Sequence, residues 1–210
     1  MKTPPPRATV GIAAFTAACH LVLSLTRLND HATLLAGFVP ARMIGMRWAP
    51  EAVPALLTPL SASLVHANLL HVGFNLMMLV FCGRFVEAAI GGRGFLVLYG
   101  VGAYVAALFQ FLSGPGGMVP MIGASGAVSA VVGAYALLYG QQRTSGWGPF
   151  SARFLHVLWL AAAWVGLQLL IGFAGTGGMP GTIAIAAHIG GFLAGLALAR
   201  PLLLWKYRGA

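Results

Sequence analysis

The sequence predicts an all-α polytopic membrane protein: six transmembrane helices forming one domain over residues 1–210, with a long, partly embedded loop between helices 1 and 2. Three observations predict it. Of the 210 residues, 59% are hydrophobic and only 7% are charged. Mean hydropathy is +0.88. The apolar residues also gather in runs of the roughly 17 to 25 residues that a bilayer span requires. With Asp30, Glu51 and Glu87 as its only acids, the chain lacks the mixed-sign surface that keeps a soluble domain dispersed.

Sparsely charged runs place the spans at about 9–27, 68–87, 94–112, 124–140, 154–173 and 183–204. The stretch before the first, Met1 to Pro6, is too short for a signal peptide's successive regions, and the run that follows is too long for one, so it reads as a retained helix. The fourth is the shortest. Gly123, Gly126 and Gly133 lower its helix propensity, and helix is expected only from about Ser125. Between the first and second spans, residues 28–65 contain Pro40, Arg42, Arg47, Trp48, Pro50, Pro54 and Pro59. A connection of that length carries function or short structure of its own, and its apolar pieces 34–38 and 53–57 suit the interfacial plane. Residues 113–123 and 174–182 are Gly-rich and uncharged. Cys19 and Cys82 fall in apolar runs and read as free thiols.

A net charge of +9 invites a nucleic-acid reading. The distribution excludes it. The cations sit singly or in pairs at the ends of apolar runs, the pattern that orients membrane helices. With the N-terminus inside, nine of the twelve basic residues (Lys2, Arg7, Arg84, Arg93, Arg143, Arg153, Arg200, Lys206 and Arg208) are cytoplasmic, and Arg27, Arg42 and Arg47 are outside. Both termini are then cytoplasmic.

This topology brings polar residues to one depth. Spans two, four and six all run from outside to inside. His71 and Asn75 lie early in span two, Ser125 opens span four, and His188 lies about five residues, near 8 Å, into span six. Each has a bland alternative. A membrane serine commonly bonds a preceding carbonyl or packs as a small residue, and an intramembrane histidine can be structural. Ser125, Ser129 and Gly133 recur on one face of span four, and Gly191 and Gly195 form a G-x-x-x-G on span six. Small residues let backbones approach closely, which would bring the imidazole within reach of the hydroxyl. His71 and Asn75, four residues apart, share a face and can donate to an oxyanion, with the Ser125 backbone N–H as a third donor. His66 supports either a loop or the oxyanion site, with a structural role favoured. His20, His31 and His156 have no partner motif.

Absences narrow the chemistry. The chain has no H-E-x-x-H zinc motif, and its single aspartate cannot make an aspartyl pair. None of the three acids fits a buried triad. A Ser–His dyad is what remains.

Three blocks then resemble the rhomboid intramembrane serine proteases: His66-Ala67-Asn68-Leu69-Leu70-His71-Val72-Gly73-Phe74-Asn75, Gly123-Ala124-Ser125-Gly126-Ala127, and Ala187-His188-Ile189-Gly190-Gly191 with Gly195. They come in the family's order and fit the six-span layout of its minimal bacterial form. The resemblance implies that Ser125 is the nucleophile, that His188 is the general base and later acid, and that His71 and Asn75 help form the oxyanion hole. It implies no cofactor and no metal. It also implies that single-span transmembrane substrates enter sideways near span five, with residues 174–182 as a cap, and are cleaved near the outer face of a bacterial inner membrane. The chain departs from the family at two points. Ser129 stands where some bacterial members stack an aromatic on the histidine, and Arg47-Trp48 reverses the usual Trp-Arg pair farther upstream.

Two other classes stay open on the residues. One is a non-catalytic rhomboid-like protein that binds transmembrane helices for quality control. The other is a transporter, or a haem or metal carrier using His66, His71 and His188; internal repeats would favour a transporter, and none is evident. Oligomeric state and natural substrate are not encoded in any recognisable motif.

Overall fold

The apolar runs fold as helices. A computed structural model of the chain describes residues 5–140, 146–147, 149–175 and 184–208. Its α-helices are α1 (Arg7–Leu25), α2 (Asn29–Ala36), α3 (Thr58–Ser61), α4 (Leu69–Ser113), α5 (Ser125–Tyr139), α6 (Ala152–Gly175) and α7 (Ile185–Tyr207). Among the described residues no β-strand occurs, only isolated bridges such as Phe38 with Met121. Among the described residues three helices, α1, α4 and α7, are long and apolar enough to cross a membrane, and α5 and the Ala152–Gly166 part of α6 are shorter apolar helices.

The sequence predicts spans two and three at about 68–87 and 94–112. Two helical stretches lie there, meeting at a kink inside α4. Only Gly91 leaves helical geometry, at φ 78° and ψ 161°, a conformation that glycine adopts without a Cβ penalty. The chain folds back there: a Cβ on Gly83 would stand 3.1 Å from Phe95 Cζ, although twelve residues of straight helix would separate the two by about 18 Å. The two helical stretches therefore meet at a single glycine of positive φ.

The core lies where α1, α4, α5 and α7 meet. Leu79, Val86, Ile90, Phe95 and Leu98 of α4 pack with Ala127, Ala130, Val131 and Ala134 of α5 and with Ala199 of α7. Lipid is as apolar as these side chains, so burial alone does not drive association, and close packing of small residues does. Gly102 of α4 faces Ala130, Gly126 of α5 faces Ala106, and Gly133 of α5 faces the Phe192 backbone. A methyl group at any of the three would collide.

Glu87 is buried in this bundle. Its carboxylate accepts the Ala8 N–H at 3.0 Å, the Thr9 N–H at 2.8 Å and the Thr9 hydroxyl at 2.7 Å. No side chain of its own caps α1, so Glu87 serves the orphan donors of the first turn, where negative charge is also favoured by the helix dipole. That commitment removes it from any catalytic triad.

The long connection is built rather than loose. After α2 come a 3-10 turn at Pro40–Ile44, a second at Ala55–Leu57, α3, and a third at Ala62–Leu64. Trp48 Nε1 donates to the Leu34 carbonyl at 2.7 Å, and Arg42 to the Val53 carbonyl at 2.7 Å. Trp48 of the Arg47-Trp48 pair thus closes the connection on itself. Phe38 and Ala62 pack on Ala107 of α4, which pins the connection to the bundle.

Candidate active site

Ser125 is the first residue of α5, and the segment before it is held from two sides. Gly123 has φ 109°, in the left-handed region that favours glycine. Its N–H donates to the Ala62 carbonyl at 2.9 Å. The next N–H, of Ala124, donates to His66 Nε2 at 3.2 Å. His66 is fully buried, so it supports the serine's helix start rather than facing the reacting atoms. Burial pushes its pKa down from 6.5 to about 4, with the nearby His71 ring adding to the effect and the Leu64 carbonyl opposing it. A neutral ring is what the contact needs, because a protonated Nε2 cannot accept a hydrogen bond.

His188 lies three residues into α7, slightly nearer its start than expected because the helix begins at Ile185. Its Nε2 is 2.7 Å from Ser125 Oγ, a full hydrogen bond that the hydroxyl donates when Nδ1 carries the ring proton. Close backbones make it possible. A Cβ on Gly191 would collide with the Gly126 carbonyl and approach Ser129 Cβ to 3.2 Å, and one on Gly195 would collide with the Ala130 carbonyl. The small residues of α5 and the glycines of α7 therefore face one another.

His71 and Asn75 sit on the first turns of α4. Asn68 caps that helix, its side chain accepting the His71 N–H at 2.8 Å. The His71 ring lies against Gly123: a Cβ there would be 2.6 Å from His71 Nε2 and 3.7 Å from Ser125 Oγ. Glycine is required at position 123 by both its φ and this approach. Asn75 is buried and its amide donates to the His71 carbonyl at 2.9 Å, a bond that uses one of two amide hydrogens. His20 meets His66 edge-on at 6.4 Å, and His66 meets His71 at 5.0 Å. Among the described residues no three His, Cys, Asp or Glu side chains group to hold a metal.

Ser129 takes the bland role: its Oγ donates to the Ser125 carbonyl at 2.7 Å. One contact on the His188 backbone comes from α6. Trp164 Nε1 donates to the His188 carbonyl at 3.2 Å, and its indole stacks on Phe192 with centroids 4.9 Å apart and planes within 8°. Sequence reasoning missed Trp164, since an aromatic in an apolar helix carries no signal of its own. The expected cap at 174–182 lies outside the described residues from 176 onward.

The family profile described as Rhomboid domain matches residues 54–205. The chain is 30% identical over 197 residues to a protein named rhomboid protease GlpG from Pectobacterium atrosepticum, covering 91% of this chain and 61% of that relative. It is 34% identical over 143 residues to a protein of the same name from Enterobacter sp. strain 638, covering 65% of this chain and 45% of that one. The chain thus spans about half to three-fifths of the length of the curated relatives it matches.

Proposed function

The chain belongs to the rhomboid family, an integral membrane protein on that ground, and from this premise we propose that it is an intramembrane serine endopeptidase acting through a Ser125–His188 dyad. The observation that carries the reading is the 2.7 Å contact between Ser125 Oγ and His188 Nε2 across α5 and α7.

In this reading Ser125 Oγ attacks the scissile carbonyl while His188 Nε2 takes its proton, and the imidazolium returns that proton to the leaving amine. Water then hydrolyses the acyl-enzyme, with His188 again as base. The developing oxyanion is held by the Ser125 N–H, unpaired at the start of α5, with His71 and the second amide hydrogen of Asn75. Each such donor is worth about 2.7 to 4 kcal/mol to the transition state. His66 and Gly123 position this corner, and Gly126, Gly191 and Gly195 permit the approach of α5 and α7. No metal or organic cofactor takes part.

The substrates are single-span transmembrane proteins, entering past α6 and cut near the outer face of a bacterial inner membrane. Residues 1–210 act as a single domain crossing the membrane six times, with both termini cytoplasmic. The closely apposed serine and histidine favour this over a non-catalytic helix-binding relative.

The test is cleavage of a single-span model substrate in liposomes together with fluorophosphonate labelling. Ser125→Ala and His188→Ala should each abolish cleavage and labelling while preserving the helical circular dichroism signal. Cleavage retained by either variant, free of contaminating protease, would sink the dyad; helix binding by the unsubstituted chain without labelling would establish the adaptor instead.

A further inference from the structure

At the end of the bundle away from Ser125, a cavity of about 470 Å³ opens between the bend of α4 and the last turn of α7, lined by Ile90, Gly92, Arg93, Trp205, Lys206 and Arg208. Its charged lining residues are all cations, and the nearest carboxylate, Glu87, has an oxygen 3.4 Å from where a Cβ on Gly92 would stand. Glu87, the acid in this part of the sequence, has both oxygens engaged by α1, and the other two acids, Asp30 and Glu51, belong to the connection after α1.

We propose that this cavity binds a phosphate anion, carried by a phosphoglycerol lipid headgroup or free in solution. Lys206 is already fixed at its wall, where its Nζ donates to the Ala88 carbonyl at 2.7 Å and the Ala89 carbonyl at 3.2 Å. An ammonium carries three hydrogens, so one is left for a ligand. The two carbonyls end the first half of α4, and the bend at Gly91 opens the space beside them. Arg208 lies over the Trp205 ring at 5.7 Å, which orients a fork suited to paired phosphate oxygens. Arg93 supplies a second guanidinium from the opposite wall.

Depth favours the same ligand. Lys206 follows His188 by eighteen residues of α7, about 27 Å along the axis, close to the roughly 30 Å of a hydrocarbon core. Trp205 and Tyr207 are exposed there, as interfacial aromatics are. In an integral membrane protein this level is where lipid phosphates lie, and basic pockets between helix ends are suited to them. The cavity shares no residue with the peptidase site, so anion binding and peptide cleavage stand or fall separately.

The experiment titrates phosphatidylglycerol into the detergent-solubilised full chain and counts bound lipid by native mass spectrometry. Arg93→Gln with Arg208→Gln removes two charge-assisted contacts and should weaken binding at least about tenfold. Arg93→Lys with Arg208→Lys should keep most of it. Arg200→Gln, a loss of charge outside the cavity, should leave it unchanged. Displacement of the lipid by millimolar inorganic phosphate would assign the site to a free anion, and resistance to displacement would assign it to the headgroup. Wild-type lipid binding by the double glutamine variant, or an equal loss with Arg200→Gln, would overturn the proposal. Both arginines are exposed, so the glutamine variants should fold, and the lysine variant separates misfolding from loss of contact.

Discussion

Two contacts from one indole meet on the turn of α7 that carries His188. Trp164 bonds the His188 carbonyl and stacks on Phe192, the residue one turn on. Trp164→Phe keeps an aromatic face on Phe192 and deletes the donor. A neutral hydrogen bond contributes about 1 kcal/mol, so fluorophosphonate labelling of Ser125 should slow about fivefold. KM for a model substrate should hardly move and the thermal midpoint should fall by only about 2 to 4 °C, whereas Trp164→Ala should lower both rate and midpoint further; labelling of the Phe variant at the wild-type rate would show that the carbonyl contact positions nothing. His66 makes a pH prediction. Its folded pKa of about 4 lies below the unfolded 6.5, so between those values the unfolded chain binds the extra proton and stability rises with pH. Acidification from pH 6.5 to 4 should therefore cost up to roughly 3 kcal/mol from this residue, with little further loss from it below pH 4. His66→Gln should be less stable at pH 8 and show a flatter slope over that window; a slope equal to wild type would place the titrating group elsewhere.

At the scale of elements, the pairing of α5 with α7 decides whether a site exists at all. Gly191 has no room for a methyl group, because its Cβ position is filled by the Gly126 carbonyl. Gly191→Ala must push the helices apart, and overpacking of this kind costs about 1 to 3 kcal/mol. A shift of about 1 Å in reacting groups can cost about a hundredfold in rate. Cleavage by Gly191→Ala should thus fall about a hundredfold while the thermal midpoint drops only modestly, and Gly166→Ala, where nothing stands within 4 Å of the added carbon, should change neither. Much of this pairing is legible in the sequence. The apolar runs mark α1, α5 and α7 to within three residues, since length and hydropathy are local properties. The glycine spacing of α7 likewise points to a close helix contact. The break between the two runs is legible, but that Gly91 alone makes the turn is not: only the packing of Phe95 on Gly83 shows it. Trp164 is hidden for a related reason, its partner being a backbone carbonyl that no residue pattern encodes.

For the whole molecule, the basic cluster and the Ser125–His188 pair lie at opposite ends of the bundle. Ser125 and His188 start their helices, whereas Arg93, Lys206 and Arg208 gather where α4 bends and α7 ends. Cytoplasmic enrichment of Lys and Arg sets the orientation of short-looped membrane proteins, so the basic end should face the cytoplasm and the serine the outside. Substituted cysteines can report this directly. With Cys19→Ser and Cys82→Ala removing both native thiols, Met118→Cys, at an exposed position just before α5, reports the serine end, and Tyr207→Cys, exposed at the end of α7, reports the basic end. In intact spheroplasts a membrane-impermeant maleimide should label position 118 alone, and position 207 only after permeabilisation. The reverse pattern would mean that the cations fail to set the orientation and that the serine opens to the cytoplasm, which would defeat cleavage near the outer face even with the dyad intact. Labelling at both positions before permeabilisation would place the two ends on one side, which the roughly 27 Å between His188 and Lys206 along a single membrane-crossing helix does not allow.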